Sequence, residues 1–171
     1  MTDKEFEVSP NPDDWPDGIP PCLIGVDKEG RFWHYGAEMI HEGINRMLMD
    51  HVELDQKGRY IIDFNNQRCF VEVEDTFYVI TSTDYKTDGR KNMEYCTLVL
   101  NDHSREELDP TTLYIGPDNV LYAKVKQGRF PARFLRPAYY QLAECVLEKD
   151  GLFTLPFNGL EYPLVEREIE E

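Results

Sequence analysis

Lys57-Gly58-Arg59-Tyr60-Ile61-Ile62-Asp63-Phe64-Asn65 returns later in the chain as Asp150-Gly151-Leu152-Phe153-Thr154-Leu155-Pro156-Phe157-Asn158. The glycines, the aromatic pairs Tyr60/Phe153 and Phe64/Phe157, and the asparagines all share an offset of 93 residues. Upstream, Ile24-Gly25-Val26-Asp27 is echoed by Ile115-Gly116-Pro117-Asp118 at an offset of 91. One spacing held across chemically different positions marks a repeated supersecondary unit rather than shared composition. An amphipathic segment precedes each glycine. In the first copy Ile40, Ile44, Met47, Leu48, His51 and Val52 recur at helical spacing. In the second, Arg136-Pro137 opens a helix with Ala138, Tyr139, Leu142, Cys145 and Val146 on its apolar face, proline being welcome in a first helical turn. A hairpin follows each helix, turning through Asn65-Asn66 in one copy and Asn158-Gly159 in the other. The repeat predicts Tyr60 and Phe153 in equivalent buried positions, with Asn65 and Asn158 at equivalent hairpin tips.

Working outward, strands are expected at 23–27 and 31–35 around Lys28-Glu29-Gly30, and at 77–82 and 93–100 around Asp88-Gly89. Further strands are expected at 112–115, 120–126 and 130–135. The fold class is therefore α+β: two duplicated helix-on-antiparallel-sheet units, at residues 21–75 and 76–165, the second larger. Short loops leave little room for the crossovers that parallel pairing needs. Residues 1–20, acidic and rich in proline, read as an extended arm pinned by Trp15 and Ile19, and residues 166–171 as a frayed acidic tail.

Composition narrows the function classes. With 41% hydrophobic residues the 171-residue chain can bury a real core, so disorder is excluded. A formal charge of −15, from 33 acids against 18 bases, opposes binding to nucleic acid and to anionic membranes. No apolar run is long enough to cross a bilayer, and the acidic first residues do not read as a signal peptide. Cys22, Cys69, Cys96 and Cys145 are dispersed, which in such a chain predicts reduced, packed thiols and a cytoplasmic protein. Oligomeric state is not legible.

Catalytic patterns are incomplete. His41-Glu42-Gly43-Ile44-Asn45 imitates a zinc helix but has asparagine where the second histidine belongs. His34, His51 and His103 lack partners at ligand spacing, so no metal site and no cofactor is expected. Cys96 lies in an apolar strand and reads as a buried thiol. One constellation stands out: Lys124, Lys126, Arg129, Arg133 and Arg136 lie between Val120 and Pro137 without an intervening acid. Strand alternation would place Tyr122, Lys124 and Lys126 on one face, and Arg129, Pro131 and Arg133 on a matching one. With Tyr139 and Tyr140 nearby, these residues form the candidate binding site, suited to an acidic protein or a phosphate-bearing small molecule. The alternatives are a solvated outer face, an enzyme with a site between the units built from residues such as His34, His41 or Asp75, and a structural assembly subunit.

Five segments, Gly30-Arg31-Phe32-Trp33-His34-Tyr35-Gly36, Val73-Glu74-Asp75-Thr76-Phe77, Tyr122-Ala123-Lys124-Val125-Lys126, Pro131-Ala132-Arg133 and Arg136-Pro137-Ala138-Tyr139-Tyr140-Gln141-Leu142, follow one another in this order. Together they resemble the bacterial family known as domain of unknown function 1285. The chain departs from the family at the first helix, where the family usually carries an arginine and this chain has the acidic Glu42 nearby. The resemblance implies a domain duplication whose second half is pleckstrin-homology-like, no established reaction, and a regulatory role in bacterial signalling with the domain interface as a possible ligand site.

Overall fold

Two strand pairs of the first unit turn on the same five-residue design, Asp-x-x-Gly-Arg. In the computed structural model, which describes residues 11–167, Asp27 Oδ1 accepts from the amides of Glu29 and Arg31 at 2.9 and 3.0 Å, and Oδ2 from Arg31 Nε at 2.9 Å. Asp55 repeats this with Lys57, Arg59 and Arg59 Nε at 2.9, 2.9 and 2.8 Å. Each turn needs a residue in left-handed conformation, supplied by Gly30 (φ 76°) and Gly58 (φ 75°).

The chain divides into two compact units after Phe77. The first contains β1 (Pro21–Val26), β2 (Phe32–His34), β3 (Ala37–Glu38), α1 (Glu42–Asp50), β4 (Val52–Leu54), β5 (Tyr60–Phe64) and β6 (Gln67–Val73), in the sheet order β3-β2-β1-β6-β5-β4. His41 caps α1, its Nδ1 accepting from the Ile44 amide, and the helix buries Leu48 and Met49. The core is closed by Val26, Phe32, Ile61, Val71 and Phe77.

The second unit contains β7 (Tyr78–Asp88), β8 (Met93–Leu100), β9 (Arg105–Glu107), β10 (Tyr114–Ile115), β11 (Leu121–Val125), β12 (Phe130–Phe134), α2 (Arg136–Ala143), β13 (Leu147–Lys149), β14 (Leu152–Phe157), β15 (Leu160–Pro163) and β16 (Val165–Glu166). A seven-stranded sheet runs β16-β10-β11-β12-β7-β8-β9 beside a three-stranded sheet β13-β14-β15. Helix α2 lies over β7, where the Thr83 amide donates to Gln141 Oε1 at 2.7 Å. Ala138 and Leu142 are its fully buried residues. The architecture is mixed α+β, with most of its area in sheets.

The pairing of the two units corresponds closely. β1 pairs antiparallel with β2 and parallel with β6; β10 pairs antiparallel with β11 and parallel with β16. A helix and an antiparallel meander come next in each, β4-β5-β6 and β13-β14-β15. In the second unit the last strand is interrupted at Leu164, whose amide donates to Phe153 O at 2.8 Å. Register places Val26, Phe32 and Val73 against Ile115, Leu121 and Glu166. The first strands therefore correspond two residues away from the echo of Ile24-Gly25 in Ile115-Gly116.

Several expectations are corrected. Three strand pairs are parallel, β1–β6, β10–β16 and β7–β12, because the intervening helix and meander, or whole hairpins, serve as the crossover. Cys22 and Cys69 form a disulfide between β1 and β6 across a separation of 47 residues, while Cys96 and Cys145 are free thiols. The adjacent parallel strands bring two distant cysteines together, which spacing alone did not reveal. Residues 12–18 form two single 3-10 turns rather than an extended arm, and Asp17 binds Lys57 at 3.0 Å and Arg59 at 2.6 Å. Residues 1–10 of the expected arm lie outside the described residues. Glu166 belongs to β16 and the Arg167 amide donates to Ile115 O at 2.8 Å, so the tail does not fray there; residues 168–171 lie outside the described range. Both asparagine tips adopt positive φ, 51° at Asn65 and 50° at Asn158, but only Tyr60 is buried: Phe153 is 48% exposed.

Candidate functional site

Strands β11 and β12 pair as a hairpin, with Tyr122 opposite Arg133 and Lys124 opposite Pro131. Its bases meet acids that are remote in sequence. Lys126 Nζ binds Asp102 Oδ2 at 2.5 Å and Ser104 Oγ at 2.7 Å, and its amide donates to Glu106 Oε1 at 2.9 Å. Burial pushes the Asp102 carboxyl upward, but donation from Lys126 and Ser104 outweighs it and holds the group below its usual range. An open cleft of about 480 Å³ is lined by Lys124, Lys126 and Arg129 together with Glu106, Glu107 and Asp109. The Arg129 guanidinium lies 5.4 Å from the Phe130 ring centroid, and its Nε donates to Lys126 O.

The other candidate residues separate from this cleft. Tyr122 is buried, stacked on Tyr114 at 5.1 Å, and lies so close to Gly116 that a β-carbon there would come within 2.6 Å of its ring. Arg133 is half-buried in β12. Arg136, Tyr139 and Tyr140 belong to α2, Arg136 at its exposed start and the two tyrosines in edge-on contact at 5.6 Å. His41 is accounted for as a helix cap. Burial pushes the Cys96 thiol up to about 12, which keeps it protonated and unreactive at neutral pH. Among the described residues no cluster of three or more His, Cys, Asp or Glu side chains is placed to hold a metal ion. None of their helices is long and apolar enough to cross a membrane.

The more enclosed depression lies elsewhere in the second unit and has a volume of about 650 Å³. Ile115 and Leu121 line it from β10 and β11, Tyr139 and Ala143 from α2, and Val146, Phe153 and Leu164 from the meander side. Its polar lining residues are Asn119 and Glu148. Sequence reasoning singled out Tyr139 but missed the rest of this groove. The missing signal was present in the repeat: Val73-Glu74-Asp75-Thr76-Phe77 has at the same offset of 93 the segment Glu166-Arg167-Glu168-Ile169-Glu170, which carries no aromatic residue.

A crystal structure of a DUF1285 family protein from Silicibacter pomeroyi DSS-3 matches with a TM-score of 0.71 at 17% identity, over 92% of this chain and 89% of that one. The chain has the fold of DUF1285 family proteins. A second protein of that family, from Shewanella baltica OS155, matches with a TM-score of 0.57 at 14% identity, over 71% of this chain and 91% of its own. No family profile and no curated protein matches the sequence. Among the described residues, the groove against α2 and the charged cleft at the β11–β12 turn are two concave surfaces of the second unit.

Proposed function

We propose that the protein is a non-catalytic binding and regulatory module of the DUF1285 family, built from two copies of one helix-and-meander element, whose ligand sits in the groove against α2. The duplication is supported by the shared pairing order and the common offset, and the pleckstrin-homology character of the second copy by its large sheet with a single helix. The observation that carries the binding role is the groove itself. Its volume falls in the range of small-molecule sites, and its lining is mainly apolar, which supplies burial and shape rather than reacting groups. Native mass spectrometry of protein purified without refolding tests this reading. A bound small molecule should be retained by the wild type and lost in Ala143→Trp, whose larger side chain occupies the groove. Equal retention by both proteins would move the site elsewhere.

A second reading keeps the basic hairpin as a docking surface for an acidic protein or phosphate-bearing molecule. It is supported by the exposure of Lys124, Arg129 and Arg136, and opposed by the three acids that share the cleft. Such binding would weaken as salt rises and fail in the double variant Lys124→Glu, Arg129→Glu. A partner that binds the double variant as tightly as the wild type removes this reading.

A further inference from the structure

We infer that the groove of the second unit is a receptor for an aromatic ring on a neutral or cationic molecule, and that the first unit shows the corresponding place filled. The inference rests on the groove being the binding site and adds the chemistry of the guest that enters it. In the first unit Phe77 is fully buried. Its ring stacks on Tyr60 with centroids 5.6 Å apart and planes at 23°, and meets the Phe32 ring edge-on at 5.4 Å and 84°. Both are favourable aromatic arrangements.

Strand pairing identifies the counterparts of the residues that grip Phe77. Phe32 lies opposite Val26, where β1 runs beside Val73; Leu121 lies opposite Ile115, where β10 runs beside Glu166. Tyr60 corresponds to Phe153 at the common offset. Leu121, Ile115 and Phe153 all line the groove. The chain provides Phe77 four residues beyond Val73, but four residues beyond Glu166 it provides Glu170. An ionised carboxylate gains nothing from an apolar cavity. Phe153 is partly exposed, where Tyr60 has a ring against it.

The polar groups set the charge of the guest. Glu148 lines the groove and Asn119 offers an amide, within a chain of net charge −15. That environment disfavours an anion and can pair with an ammonium or amide donor. The volume leaves room for a ring with a short polar arm.

The test is a titration of the full chain, monitored by amide chemical shifts, with phenylalaninamide, leucinamide and 3-phenylpropionate as probes. Phenylalaninamide should shift the signals of Leu121, Val146, Phe153 and Leu164 saturably, roughly fivefold more tightly than leucinamide, the margin an aromatic pair adds beyond burial. It should also bind more tightly than 3-phenylpropionate. Phe153→Ala, at a partly exposed position, should fold and bind weakly, and Ala143→Trp should not bind. Leucinamide binding as tightly as phenylalaninamide would overturn the aromatic preference while leaving the groove as the site. Equal binding of 3-phenylpropionate would overturn the charge assignment. Shifts that persist in Ala143→Trp, or no saturable shift with any probe, would overturn both the inference and the groove. Binding that emerges only after removal of residues 168–171 would overturn it in favour of the chain's own Ile169 as occupant.

Discussion

Tyr60 and Phe153 hold the same place in two similar meanders, yet one is 8% exposed and the other 48%. In the first unit the chain continues through Glu74-Asp75-Thr76 and sets Phe77 against the Tyr60 ring. The second-unit segment at the same offset has no aromatic residue in its sequence. A ring stacked on Tyr60 removes from water a face that Phe153 leaves partly exposed.

Phe77→Ala should have the largest effect on the first unit. Truncating a fully buried phenylalanine costs about 3–5 kcal/mol. Both tryptophans, Trp15 and Trp33, belong to the first unit, so their fluorescence in a urea titration reports that unit. A loss below about 1 kcal/mol would mean that Phe77 is not the residue that completes this core. The disulfide comes next. Reducing the Cys22–Cys69 link, which spans a separation of 47 residues, should destabilise the first unit by about 2–4 kcal/mol, chiefly by freeing its unfolded chain. The tryptophan-reported midpoint should therefore fall in reductant. Alkylation of intact cells before lysis should leave Cys22 and Cys69 unlabelled; rapid labelling would restore the reduced, cytoplasmic state expected from the sequence.

The paired turns offer a finer contrast within the first unit. Asp27 has a fully buried side chain and also accepts from Trp33 Nε1 at 2.9 Å, whereas Asp55 is partly open to solvent and shares Arg59 with Asp17. Burial pushes the Asp27 carboxyl upward, but the Arg31 amide, Trp33 and the Arg31 guanidinium outweigh it and hold it below the ordinary range. A carboxyl depressed in the folded state contributes stability that is fully present above its unfolded value and is lost as pH falls through the folded one. Acid unfolding of the first unit should therefore steepen below about pH 4. Asp27→Ala should cost about 2–3 kcal/mol at neutral pH, since it orphans several donors, and should flatten that acid limb. Asp55→Ala should have the smaller effect. Equal losses would show that the turn design matters and burial does not.

Much of this architecture was legible because glycine, asparagine and helix-spaced apolar residues act locally. Gly58 and Gly151, and the tips at Asn65 and Asn158, need only their neighbours to be read. The parallel pairs and the disulfide were not legible, since Cys22 and Cys69 meet only after α1 and the meander have folded back on β1. The candidate site failed to read for a related reason. Lys124, Lys126 and Arg129 form an acid-free run in sequence, but Asp102 returns to the same turn and pairs with the Lys126 ammonium, while Glu106 of β9 accepts from the Lys126 amide. The groove escaped because its residues are individually ordinary and come together from separate segments of the second unit.

The smallest expected effect is the most discriminating. Phe153→Ala should cost only about 1 kcal/mol, roughly half the value of burying a whole phenylalanine, because nearly half of the side chain is already in solvent. Tyr60→Ala at the corresponding place should cost about 3–5 kcal/mol, since it removes a buried ring and the stacking surface of Phe77. Urea titrations of the two variants, read by tryptophan fluorescence for the first unit and by the amide signals of residues 78–167 for the second, compare them directly. Adding Phe153→Ala to Tyr60→Ala tests independence, because residues without shared partners contribute additively. If Phe153→Ala proves as damaging as Tyr60→Ala, the second unit is using that ring as core and the groove is no receptor. If it is nearly neutral for stability yet abolishes probe binding, the exposed face of Phe153 is kept for a guest.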